Sequence, residues 1–403
     1  MITPDAAWSI VLSHARPLES ISISLTEASG YCLAEDVRAD RSLPPADRSA
    51  MDGYAVRHDD LRRRPCILRI IGEVAAGSFQ RPRVKAGTCV RILTGANIPP
   101  GADTVVMVEQ TQEHTGLVTI RSSVQSGSNI LRQGEDARKG SLLLRRGTRM
   151  DTAQVGVCAA VGKATLRVHR LPGVTILCTG SELRSAHDRV QAHEIRNSNG
   201  PALCAALADE GLVGTKFTSV ADRRRTLVAA LSRALRRYDV VLCTGGVSAG
   251  NYDFVSDAVE AAGATIRFHW LAMKPGKPTL YATAHKNRHI FGLPGNPLSA
   301  LTAFHEFALP AIRRLAGHSA EACRTAWLLP LADTAESSGG RVRYELARLV
   351  NRPNGLAVVA VPSRSSADLV SAGHADGVIM LPPDQTRFAA GQLVAFRPWR
   401  PLP

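Results

Sequence analysis

The chain has 403 residues, 45% of them hydrophobic and 21% charged, and a formal net charge of +14. That length holds roughly two to four domains, and that composition excludes wholesale disorder. The positive excess attracts phosphates and oxyanions, but it lies largely in solvated arginine runs such as Arg62 to Arg64 and Arg223 to Arg225, with no basic stripe interleaved with aromatics.

Nucleic acid is therefore not an expected partner. No apolar stretch reaches the roughly 18 residues a membrane span needs, so no membrane partner is expected either. The segment after Met1 lacks a basic region followed by an apolar run, and no signal peptide is expected. The eight cysteines form no C-x-x-C pair, which argues against a zinc or thioredoxin-type site. Several, Cys178 and Cys243 among them, sit in apolar strand-like runs and read as small core residues, a pattern that suits a reducing cytoplasm.

In chain order, residues 3–15 read as a short helix with Thr3 as cap and Pro4 at the first helical position. Between 40 and 140 the pattern turns β-like, with short runs at 66–71, 104–108 and 118–121 between Gly and Pro turns. From 172 onward strands and helices alternate. Strands are expected at 174–178, 214–220, 239–243, 265–268 and 290–293, and helices at 198–210, 225–236, 253–262 and 297–316. This rhythm predicts a parallel sheet covered on both faces. Beyond 323 the short strands at 342–350, 356–361, 377–381 and 392–396 fit a small barrel or sandwich.

In such a sheet, ligands bind outside the carboxyl ends of the strands. Two loops fall there: Thr179 to Glu182, and the glycine loop from Thr244 to Gly250. Three glycines let the backbone approach a ligand and aim N–H groups at an anion; they suit a purely conformational turn equally well. Lys274-Pro-Gly-Lys-Pro278 holds two like charges near each other, which suits an oxyanion clamp or an exposed basic turn. The turn after strand 290–293, Leu293 to Ser299, opens a helix whose N–H groups could take an anion or simply set geometry. In the β-rich region Asp52 stands beside a turn glycine, Thr94 beside another, and Glu135 and Asp136 form an acidic pair; each alone is also an ordinary capped turn.

Taken in order, Ser49-Ala-Met-Asp-Gly-Tyr-Ala55, Gly72 to Gly77, Thr94 to Asp103, Gly127 to Asp136, Thr179-Gly-Ser-Glu-Leu183, Thr244-Gly-Gly-Val-Ser248, Lys274 to Pro278 and Leu293 to Pro297 resemble one family. It is the MoeA family of molybdopterin molybdenumtransferases, which includes the gephyrin E domain, and the resemblance runs from about Pro4 to about Pro398. It implies a multidomain α/β plus β fold. A three-layer α/β molybdopterin-binding domain would span 171–320, an inserted β-rich domain 40–137, a small N-terminal linking domain 1–39 with 138–170, and a C-terminal β-barrel 321–403. It also implies a homodimer whose cleft is shared between subunits, and contact with the molybdopterin adenylyltransferase.

The reaction it implies takes adenylylated molybdopterin and molybdate as substrates, uses Mg²⁺ and releases AMP. By the same resemblance Asp52, Thr94, Asp136, Glu182, Asp222 and Asp253 are catalytic, with Glu182, Asp222 and Asp253 on the metal. Gly245, Gly246 and Ser248 would line the pterin pocket, and Lys274, Lys277, Ser299 and Ser366 would hold molybdate or the neighbouring phosphate. Three departures stand out. Arg223 replaces a second aspartate, and the loop 184–193 lacks its usual glycines. Leu346 stands where the barrel has an arginine, so that role falls to Arg348 or Arg343 or is absent. The alternative is a paralogue that binds molybdenum cofactor, or scaffolds a partner, without turnover; tungstate is an equally sized alternative oxyanion.

Overall fold

The computed structural model describes residues 1–247 and 254–400. The chain divides into two compact units: Asp36–Arg145 with Gly156–Ala164, and Met1–Glu35 with Arg146–Val155 and Thr165–Pro403.

The larger unit begins with helix α1 (Pro4–His14). The Thr3 hydroxyl accepts from Ala6 N–H at 3.2 Å, and Pro4 lacks the N–H that a first turn leaves unpaired anyway. Its buried face is Pro4, Ala7 and Val11.

The smaller unit is built on strands β1 (Gly53–Val56), β2 (Cys66–Val74), β3 (Thr88–Ile92), β4 (Thr104–Met107), β5 (Thr111–His114) and β6 (Leu117–Ile120). They form one sheet in the order β4-β1-β3-β2-β6-β5, antiparallel except between β2 and β3. Alternate residues feed two apolar layers, one around Tyr54, Leu68 and Ile120 and one around Ala55, Val90 and Ile92. Gly53 is not a turn residue. A Cβ there would sit 2.0 Å from the Val106 carbonyl oxygen, so glycine lets β1 close on β4.

Back in the larger unit, the α/β layer comprises β7 (Val174–Thr179), α2 (Asn199–Asp209), β8 (Lys216–Val220), α3 (Arg224–Arg237), β9 (Val240–Thr244), α4 (Phe254–Ala261), β10 (Thr265–His269), β11 (Leu280–Ala284) and β12 (Arg288–Leu293). The sheet order is β8-β7-β9-β12-β11-β10. Strands β8, β7, β9 and β12 are parallel, as the alternating pattern predicts; β12, β11 and β10 are antiparallel, which it does not. The difference is a hairpin. Lys286 and Asn287 both take positive φ, 62° and 56°, and return β11 directly onto β12. Ile176, Cys178, Val240 and Leu242 face one apolar layer, while Leu177, Val241 and Cys243 face the other. Two covered faces explain why these strands are continuously apolar. Burial pushes the Cys243 thiol up to about 12, as expected of an inert core residue.

The helix expected over 297–316 is three pieces: α5 (Pro297–Ala303), a π-helical turn (Phe304–Ala308) and α6 (Leu309–Leu315). Pro310 has no N–H to continue the ladder, and Leu309 N–H reaches back to the Phe304 carbonyl instead.

The last strands are β13 (Trp327–Pro330), β14 (Val342–Arg352), β15 (Gly355–Ala360), β16 (Gly377–Leu381) and β17 (Leu393–Pro398). They pair in the order β15-β14-β16-β17-β13, and a bridge between Leu331 and Val358 links the β13 end back to β15, giving a barrel. Its interior holds Ala347, Val358, Ile379, Leu381, Phe388, Val394 and Phe396. The opposite face of β14 sends Tyr344 and Leu346 into the apolar layer of the α/β sheet.

Candidate active cleft

The parallel strands β8, β7, β9 and β12 all open at their carboxyl ends onto one cavity of about 720 Å³. Thr179 ends β7 and Gly180 and Glu182 follow it, Asp222 follows β8, Gly245 and Gly246 follow β9, and Pro294, Gly295 and Asn296 follow β12; all line it. Gly245 is required here. Its φ is +86°, and a Cβ would meet the Thr179 carbonyl oxygen at 2.7 Å. Asn199 Nδ2, at the start of α2, donates to the Gly295 carbonyl at 2.9 Å and ties that helix to the loop after β12. Ser248 and Asp253 lie outside the described residues.

The Asp222 carboxyl lies above its usual range, through burial and then through the nearby negative charge of Glu182. Its Oδ1 is buried without a hydrogen-bond partner in the structure. Two carboxylates, one with a buried unpaired oxygen, are the hard-oxygen donors a divalent cation takes. Among the described residues no group of three or more His, Cys, Asp or Glu side chains that could hold a metal ion forms. Asn197, absent from the sequence expectations, lines the same cavity; its Oδ1 holds Gly200 N–H at 3.0 Å, and its Nδ2 is buried and unpaired. It offers a ligand a donor, where Glu182 and Asp222 offer negative charge.

A second cavity of about 170 Å³ is lined by Lys274, Arg343, Glu345, Arg364, Ser365 and Ser366 among others. Lys274 and Arg343 stand directly opposite each other on paired strands. Like charges so placed repel. Arg343 also pairs with Glu345. Three cations and one carboxylate leave two net positive charges, the complement of a dianion. Asn296 Nδ2 donates to Ser366 Oγ at 2.7 Å. Asn296 lines the first cavity and Ser366 the second, so this bond is the partition between them.

Other expected residues are placed differently. The ammonium of Lys277 sits 5.5 Å from the Trp270 ring centroid in a cation–π contact, and Lys277 is not among the residues lining Lys274's cavity. Ser299 is buried, and its N–H donates to the Ser366 carbonyl at 3.2 Å, so it braces the partition. Leu346 is buried in the apolar layer, Arg348 is exposed, and Arg343 is the β14 arginine that lines the cavity.

In the smaller unit Asp52 accepts from both Thr94 N–H (2.6 Å) and Thr94 Oγ1 (2.7 Å). Those bonds hold its carboxyl below the usual range. Thr94 and Asp136 line a cavity of about 760 Å³ within that unit.

Residues 2–162 match the MoeA N-terminal region (domain I and II), 175–314 a probable molybdopterin binding domain, and 329–399 the MoeA C-terminal region (domain IV). The molybdopterin molybdenumtransferase of Staphylococcus epidermidis is 33% identical over 395 residues, covering 97% of this chain and 93% of that protein. The chain belongs to the MoeA family. The molybdopterin molybdenumtransferase of Staphylococcus aureus is 31% identical over 388 residues, covering 95% and 92%. The MoeA protein of Pyrococcus horikoshii OT3 superposes with a TM-score of 0.83 at 26% identity, covering 98% of this chain and 99% of that one. This MoeA family member is thus a transferase of molybdenum cofactor biosynthesis, with the family's multidomain fold.

Proposed function

We propose that the chain inserts molybdate into adenylylated molybdopterin with magnesium-dependent release of AMP, yielding molybdenum-loaded molybdopterin. One observation carries this reading. A cleft with paired carboxylates adjoins a cavity with two net positive charges, and the Asn296–Ser366 bond separates them. A substrate with a phosphoanhydride and a second, dianionic substrate need these two environments side by side.

Glu182 and Asp222 would hold magnesium, with Asp253 as a third candidate. The ion would supply charge neutralisation at the bridging phosphates. Gly245 and Gly246 let the organic substrate approach the backbone, with Ser248 on the same loop. Asn197 Nδ2 supplies a donor. Lys274, Arg343 and Arg364 hold molybdate at the partition, beside Ser366. Lys277, on Trp270, adds positive charge to the approach, and Ser299 fixes the partition from behind. Asp52, Thr94 and Asp136 would complete the cleft from the partner subunit of a homodimer. The division into an α/β domain at 171–320, a barrel at 321–403, an inserted domain at 40–137 and a linking domain from the remainder fits that arrangement, as does a cytoplasmic location. Direct transfer from the molybdopterin adenylyltransferase is the corresponding supply route.

Purified protein given magnesium, molybdate and adenylylated molybdopterin should release AMP in step with molybdenum appearing on the pterin. Binding of the substrate with no AMP, under conditions where a known family member turns over, would sink the proposal in favour of a cofactor-binding paralogue. Arg343→Gln should raise the molybdate KM at least about tenfold with little change in kcat, since one charge-assisted contact contributes on the order of 1.5–3 kcal/mol. Arg348→Gln should leave both constants unchanged. The reverse pattern would assign the anion site to the wrong arginine.

A further inference from the structure

The cavity in the smaller unit carries two arginines that the proposed reaction leaves without a role. Arg41 and Arg48 line it together with Leu43, Pro44, Ser49, Thr94, Leu131 and Asp136. Arg48 Nε is buried and has no hydrogen-bond partner in the structure. An unpaired guanidinium N–H away from water is costly unless an acceptor meets it.

The neighbouring carboxylates do not meet it. Asp47 is taken by Arg132 Nη1 and by Gln133 N–H, each at 2.8 Å. Glu135 accepts from Arg132 N–H at 2.8 Å. Asp52 is committed to Thr94. Asp136 remains, so two guanidinium groups face one carboxylate and the cavity has one positive charge in excess. The Thr94 hydroxyl proton goes to Asp52, which leaves its oxygen to accept from a ligand.

The walls add a second requirement. A bare oxyanion needs a small polar nest, but this cavity is about 760 Å³ and has Leu43, Pro44 and Leu131 on its sides, Leu131 being 44% exposed. Such a surface covers an organic ring. We propose that Arg41 and Arg48 form a subsite for an organic phosphate. The guanidinium forks take the phosphate. The ring lies against Leu131 and Pro44, and ring N–H or hydroxyl donors reach Asp136 and Thr94. Assigning that phosphate to the pterin or nucleotide end of the substrate rests on the proposed function; the subsite itself does not.

The test reads Arg48 directly. The full-length protein is treated with an arginine-selective dicarbonyl, and the modification of each arginine is followed by peptide mass spectrometry with AMP, inorganic phosphate or adenosine present. AMP should slow modification of Arg41 and Arg48 at least fivefold at saturation. Phosphate should do so only at much higher concentration, and adenosine weakly. Arg132, already paired with Asp47, serves as the control and should not respond. Arg48→Gln should abolish the protection of Arg41, and Arg48→Lys should retain part of it. A melting curve close to wild type shows that the fold persists in each variant. Equal modification rates with and without AMP would overturn the subsite. So would protection of Arg132 to the same degree, which marks non-specific screening. Because no turnover is measured, the subsite can stand if AMP release fails, and AMP release can stand if the subsite fails.

Discussion

Asp222→Asn is expected to cut AMP release at saturating substrate about a hundredfold or more, while raising the melting temperature of the metal-free protein. The two effects come from one cause. Asp222 sits partly buried with Oδ1 unpaired, and burial and Glu182 both raise its carboxyl above the usual range. With the native pKa above the unfolded one, the folded state binds more protons between those two values. Stability therefore falls as pH rises through that window and stays lowered above it. Asparagine removes the ionised group and the repulsion from Glu182, so the variant gains stability at neutral pH, on the order of 1–3 °C. The same change removes one of the proposed hard-oxygen ligands and the charge that a phosphoanhydride's counter-ion needs, and losing such an electrostatic group typically costs about a hundred- to a thousandfold in rate. If Asp222 holds magnesium as proposed, protons would compete with the ion there in the wild type. Cation binding should therefore weaken on acidification at a higher pH than for an ordinary aspartate. Melting curves with and without magnesium separate the cases: the wild type should be stabilised by the ion and the variant should not. A variant that keeps both its magnesium response and its AMP release would remove Asp222 from the cation site.

The loops after β7 and β9 were legible because each follows a continuously apolar run and is marked by Thr-Gly. A buried parallel strand leaves its chemistry at its carboxyl end, and the sequence pattern marks that end. The basic cavity was less legible. The segment from Lys274 to Pro278 shows that two ammonium groups are near in sequence, but nothing in it says that Lys277 turns onto Trp270 while Lys274 pairs across to Arg343. Strand alternation shows that Arg343 and Leu346 lie on opposite faces of β14; which face meets the α/β layer depends on barrel packing, and that decides that Leu346 is core. Arg364 and Asn197 lie in segments with no periodic signal, and only the fold brings them to the cavities. Strand β11 carries no such mark, because its turn uses Lys286 and Asn287 in place of glycine. The Pro4–His14 helix and the barrel strands were readable for the opposite reason, since a capped first turn and regular alternation are local signals.

Glu306→Ala is expected to destabilise the larger unit by about 3–5 kcal/mol, the cost of leaving buried charge unbalanced. Glu306 is fully buried on the π-helical turn. Its Oε2 meets Arg324 Nη2 at 2.9 Å and its Oε1 lies 3.1 Å from Arg397 Nε. Arg397 belongs to β17 of the barrel, and Arg324, which also pairs with Asp5 at 3.2 Å, to the segment leading into it, so Glu306 meets cations on both. Glu306 is the buried counter-charge for both guanidinium groups, since the Asp5 partner of Arg324 is largely exposed. Arg324 has Trp8 and Phe307 at 5.8 and 5.9 Å and retains only 6% of its side-chain exposure. Burial also drives Arg397 below the usual arginine range, and Glu306 opposes that. The widened turn caused by Pro310 is what carries Glu306, so a sequence change at Pro310 would disturb the pair as well. A urea titration followed by tryptophan fluorescence tests the prediction well, because Trp399 stacks on His305, the residue before Glu306. The midpoint for Trp399 should fall most. Replacing all three charged residues together by Leu and Met should recover much of the loss, since a well-packed apolar triad needs no counter-charge. If Glu306→Ala alone shifts the midpoint by less than the equivalent of about 1 kcal/mol, the three groups are wetter than their burial implies, and the attachment of the barrel to the α/β layer rests on the apolar contacts of Tyr344 and Leu346 instead.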